Sequence, residues 1–206
     1  PAKEILRDLM VQLRSEPDTS NNKFQRTLLL QLGKLASNEL NIVWKAPVSN
    51  VGAVAEFDRN NTIYINPNIS ADALTEALLH ETTHAVVHHV LDYGNTMIKV
   101  ELNKLLGLVV TKLRETNHPD LAIFESEAGL QELVAYGMTN ESFRTNVLEK
   151  IQMVSSNQKN RFITAFEGFV TAITNALFGT NNAKKQALLS NGVGVLITNF
   201  SGLLAQ

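Results

Sequence analysis

The stretch that most restricts this chain is "ALLHETTHAVVHHVLDYG", where four of the five histidines fall between His80 and His89. On an α-helix, residues four apart project from one face one turn from each other, so His80 and His84 turn two imidazoles toward a common point. Glu81 follows His80 and reaches that neighbourhood without occupying it. "HETTH" is the H-E-x-x-H spacing in which two histidines hold zinc and the glutamate acts as general base. With five histidines in 206 residues, chance yields this pattern on the order of one per cent of the time. A metal site is the better explanation.

The local context agrees. Ser70 is placed to cap the helix and Asp72 lies in its first turn, where the helix dipole favours an anion. The strand-like "IYINPN" precedes, and "DYGN" ends the helix after about Leu91. The motif is thus expected in a strongly amphipathic helix.

Two histidines leave a ligand to be found, because a catalytic zinc takes three protein ligands plus water. The chain has no cysteine, so nitrogen and oxygen are the only strong donors. The acids after the motif are Asp92, Glu101, Glu115, Asp120, Glu125, Glu127, Glu132, Glu141, Glu149 and Glu167. Glu132 is preferred. In "GLQELVAYG" it is a lone carboxylate among small and apolar neighbours, and a metal would remove the cost of burying it. Glu125, seven residues earlier on the same expected helix, would accept a hydrogen bond from a ligand histidine, as would Glu127. Tyr136, four residues after Glu132, shares its face and is a candidate donor to a developing oxyanion, with core packing the equal alternative.

The other histidines fit less well. His88 lies two turns from His80, too far to share one tetrahedral ion comfortably, and is read as packed or as an outer support of the site. Val87 and Val90 stand where metzincins have a glycine and a third histidine, which excludes that branch. His89 and His118 are expected at the surface.

The rest of the chain is mostly helical by apolar spacing. Helices are expected over the first residues to Leu13, from about Phe24 to Ala36, from about Met97 to Leu113, and from Leu121 to Met138. A further helix begins at "TNESF" with Thr139 or Asn140 as cap, and two more cover about Lys159 to Phe178 and Ala183 to Leu204. The stripe Phe162, Phe166, Phe169, Ile173 and Leu177 reads as core. "NIVWKA", "AVAEF" and "TIYIN" read as strands, the last two forming a hairpin around "DRNN". In "TIYIN", Ile63 and Ile65 take one face and Tyr64 the other. As an edge strand over the cleft, it would bind an extended peptide by strand addition, with Tyr64 in contact with the substrate.

These readings give an α+β, mainly α, class with a small antiparallel sheet. The organisation is N-terminal helices over 1–40, a core over 41–153 that holds the motif, and a helical C-terminal segment over 154–206. A net charge of −2 and a pI near 6.2 offer no basic stripe, so neither nucleic acid nor a charged membrane surface is an expected partner. "LLGLVV" and "VGVLI" fall far short of the ~20 residues that span a bilayer, so a soluble protein is expected. The chain opens on Pro1 without a basic and then apolar leader, and reads as an excised or processed piece.

With "LLHETTHAVV" and "QELVAYGMTNESF" taken together, the chain resembles gluzincin-like metallopeptidase domains embedded in large polyvalent or virion proteins of tailed bacteriophages. The resemblance runs from roughly Val51 to the C-terminus. It rests on the "IYINPN"-like segment, the H-E-x-x-H helix, the "ELVAYG-TN-F" helix and "RFITAFEGFVTAITNALFG". It implies a zincin-like fold, Zn²⁺ on His80, His84 and Glu132, Glu81 as base and a polypeptide substrate. It further implies a parent polyprotein, with the virion or host cytoplasm as its place. The alternative is a catalytically silent zincin-like structural or interaction module of a virion protein.

Overall fold

The structure, a computed structural model, describes residues 2–17, 20–36, 38–47, 52–93, 96–154 and 162–164. They belong to two compact units, one running to His88 and one beginning at His89.

The first unit opens with α1 (Ala2–Ser15) and α2 (Ser20–Leu35), which pack on each other. Leu6, Leu9 and Leu13 recur at three- and four-residue spacing and are buried, as are Leu28, Leu29 and Leu32 of α2. Three strands follow: β1 (Asn41–Trp44), β2 (Ala55–Phe57) and β3 (Thr62–Ile65). The expected hairpin forms, with β2 antiparallel to β3. Its turn is shaped by Asp58, whose Oδ1 accepts from the backbone N–H groups of Asn60 at 2.7 Å and Thr62 at 3.0 Å.

Two expectations about the sheet fail. β1 runs parallel to β3, so the sheet is mixed rather than antiparallel. The strand order is β1-β3-β2, which makes β3 the central strand and leaves it no edge for an added peptide. The cause is burial: Ile63 and Ile65 are wholly buried, whereas β1 is mostly exposed and suits an edge.

After β3, Asn66 Oδ1 accepts from Asn68 N at 3.0 Å, and the chain enters α3 (Ala71–Tyr93). The expected cap is present, since the N–H of Ala73 donates to Ser70 Oγ at 3.3 Å. The amphipathic expectation is not met: Ala77, Leu78, Leu79, Thr82, Thr83, His84 and Val87 are all buried, which covers more than one face. Three consecutive small or apolar residues before His80 are enough to widen a stripe into a largely buried helix.

The second unit contains α4 (Thr96–Glu115), α5 (Leu121–Phe124), α6 (Gly129–Thr139), α7 (Glu141–Asn146), a 3-10 turn at Leu148–Lys150, and an antiparallel pair of β4 (Gln152–Val154) and β5 (Phe162–Thr164). Leu102, Leu105, Val109 and Leu113 of α4 are buried, and α4, α5 and α6 pack together. Asn140 caps α7, its Oδ1 accepting from Phe143 N at 2.8 Å, as the sequence leads one to expect.

The single helix expected from Leu121 to Met138 is broken into α5 and α6. Gly129 is the reason. A Cβ on Gly129 would lie 2.2 Å from the carbonyl oxygen of Phe124, so only glycine lets the start of α6 sit on the end of α5. Gly129→Ala should therefore destabilise this unit by about 1–3 kcal/mol or more, as overpacking does. A lower urea midpoint at unchanged slope would register it; an unshifted midpoint would refute the close approach.

The helix expected over Lys159 to Phe178 is also corrected where it can be seen. Phe162, Ile163 and Thr164 form β5, opposite Val154, Met153 and Gln152, as aromatic and β-branched residues readily do. Phe166, Phe169, Ile173 and Leu177, and the helix expected over Ala183 to Leu204, lie outside the described residues. Among the described residues, no helix is long and apolar enough to cross a membrane.

Candidate metal centre

The helical repeat of α3 brings the two motif histidines together. His80 Nε2 and His84 Nε2 are 3.1 Å apart, with ring centroids at 4.7 Å and planes at 74°. Two imidazole nitrogens bound tetrahedrally at about 2.0–2.1 Å to one zinc would be about 3.3 Å apart, so the observed separation suits a shared ion. His84 is buried at 8% exposure and His80 is half-buried. Behind them Thr83 donates its hydroxyl to Leu79 O at 2.7 Å, and the helix is held by buried Leu78 and Leu79.

Glu81 is half-buried, and its Oε2 accepts a hydrogen bond of 2.7 Å from the backbone N–H of Phe57 on β2. The Phe57 ring meets His88 edge-on, at 5.8 Å between centroids. His88 therefore packs on the sheet.

In the second unit, Glu132 lies in the first turn of α6, half-buried beside fully buried Leu133 and Val134. A carboxylate there is favoured by the helix dipole. Among the described residues, Glu132 is the carboxylate that could join His80 and His84 in holding a metal ion. Two neutral nitrogens and one carboxylate oxygen are a donor set that zinc accepts.

The remaining candidates are placed differently. Tyr136 is half-buried in an aromatic cluster, edge-on to Phe124 at 5.3 Å and to Phe143 at 5.7 Å, while those two rings stack at 5.0 Å. Its ring is packing, which is one of the two roles expected. Glu125 does not share a face with Glu132, because the helix breaks between them. It is exposed and ion-paired with Arg114 of α4, so a hydrogen bond to a ligand histidine is not its observed role. Glu127 is exposed too. His118 accepts at Nδ1 from the N–H of Asp120 at 3.3 Å, within its own turn.

Tyr64 stands opposite Glu56 and Val43 on the central strand. Strand alternation puts it on the sheet face away from Ile63, and so away from the face that carries Phe57 and its His88 contact. The expected edge-strand contact between Tyr64 and a substrate is thereby withdrawn. Phe57 was not singled out from sequence, since its link to Glu81 spans 24 residues and depends on how the helix lies on the sheet.

Compared with protein-family models, curated proteins and solved structures, the chain finds no match.

Proposed function

We propose that the chain is a zinc-dependent metallopeptidase domain of gluzincin type, with a zincin-like fold, Zn²⁺ held by His80, His84 and Glu132, and Glu81 as general base. The observation that carries this reading is the pair of imidazole nitrogens 3.1 Å apart on one face of α3, with the Glu81 carboxylate between them in sequence. The number of proposed ligands supports catalysis over a purely structural metal, since catalytic zinc keeps three protein ligands and an open position whereas structural zinc is closed by four.

Bound zinc would lower the pKa of a water and polarise the scissile carbonyl. The chain's own residues supply the rest. Glu81 takes a proton from the attacking water as its oxygen bonds to the carbonyl carbon, and passes that proton to the nitrogen as the C–N bond breaks, leaving a carboxylic acid and an amine. The two histidines, set one turn apart on a buried helix, fix the position at which this happens.

A polypeptide substrate is supported by the sheet. β2 is an edge strand, and Glu81 is bonded to its outer side, so an extended chain laid along β2 would pass beside the base. Membership of a larger phage virion protein is part of the same proposal and rests on the segments quoted above.

The test is reconstitution. The chain should bind one zinc ion per molecule by elemental analysis and cleave members of an unbiased peptide library. A chelator should abolish cleavage and added zinc restore it. Absence of bound zinc, or zinc binding without any cleavage, would defeat the proposal.

A further inference from the structure

We propose that the backbone N–H of Phe57 is the positioning group of Glu81, an inference that rests on the peptidase reading of the same site. The sheet register aims that N–H. Asp58 N donates to Thr62 O at 2.9 Å and Asn66 N donates to Val54 O at 2.9 Å, so the even-numbered residues of this strand face β3. Phe57, by alternation, turns its N–H away from β3, and Glu81 Oε2 accepts it at 2.7 Å.

A donor of this kind differs from a side chain. It has no rotamers, and its direction is fixed by a strand paired on its other side, so it holds the carboxylate without ordering cost at the moment of reaction. The bond is charge-assisted, which makes it short and directional. The ring of the same residue stands edge-on to His88, one turn past the motif, so one position on β2 touches α3 at two points. The carboxylate is then held where it can receive a proton from water.

Proline offers a clean deletion of the donor, because it lacks the N–H and is tolerated on an edge strand where that N–H points outward. Phe57→Ala removes the ring but keeps the N–H. In the zinc-loaded full chain, Phe57→Pro should lower kcat by about 10–100-fold relative to Phe57→Ala, with zinc content unchanged. Added to Glu81→Gln, it should cost nothing further. Independently of activity, the Phe57 amide of the wild type should exchange with solvent at least about tenfold more slowly than in Glu81→Ala. This arm decides the matter even if the proline variant does not fold.

Equal kcat in Phe57→Pro and Phe57→Ala, or equal exchange of the amide with and without Glu81, would overturn the inference while leaving the peptidase reading intact. A wild type that binds zinc and protects the Phe57 amide yet cleaves no peptide would sink the peptidase reading, and the catalytic meaning of this bond with it.

Discussion

Glu81→Gln should leave zinc at one ion per chain and reduce peptide hydrolysis by about 10²–10⁴-fold, the range that a positioned proton acceptor contributes. The substitution removes basicity and little else. Glutamine keeps an oxygen that can accept from the N–H of Phe57, so the bond from β2 to α3 survives in its weaker, neutral form. His80 and His84 keep their spacing on the helix, and the proposed ligand set is unaltered. Stability should consequently change little, and the variant should melt close to the wild type. Zinc analysis, a melting curve and turnover on one cleaved peptide check all three statements. Full turnover would remove Glu81 from the chemistry, whereas loss of zinc along with turnover would mean that Glu81 contributes to binding rather than to proton transfer.

Features set by neighbours along the chain were legible before any coordinates. The i, i+4 spacing of His80 and His84 is a property of any α-helix, and the Ser70 and Asn140 caps need only the next turn. The β2–β3 hairpin is equally local, its turn being built by Asp58 over four residues. Leu133, Val134 and Ala135, the apolar company that marks Glu132 in the sequence, are buried. Features set by pairing at a distance were not legible. Nothing in "NIVW" announces a parallel partnership with β3, so the central strand was mistaken for an edge. The apolar rhythm from Leu121 to Met138 runs straight through a break that depends on Gly129 meeting the Phe124 carbonyl. With that break the shared face of Glu125 and Glu132 disappears, and Arg114 claims Glu125 instead.

Removing a ligand should have an effect of another kind. His84→Ala is expected to weaken zinc binding by well over the about 10–100-fold that loss of an outer hydrogen-bond partner costs, and to abolish hydrolysis. Glu132→Ala should do the same through the carboxylate, while His88→Ala, whose ring packs on Phe57, should retain zinc. Linkage supplies a readout that needs no substrate. Zinc at a thousand times its dissociation constant stabilises a folded chain by about 4 kcal/mol, which for a chain of this size raises the melting temperature on the order of 10 °C. The wild type, Glu81→Gln and His88→Ala should show that rise; His84→Ala and Glu132→Ala should not. The comparison of Glu132→Ala with His84→Ala is the most telling. Two imidazoles one turn apart bind zinc in many helices with modest affinity, and only a third donor converts such a pair into a site with three fixed ligands and one open position. A zinc-induced rise in Glu132→Ala equal to that of the wild type would mean that the histidine pair binds zinc without the carboxylate, and the three-ligand centre would have to be abandoned.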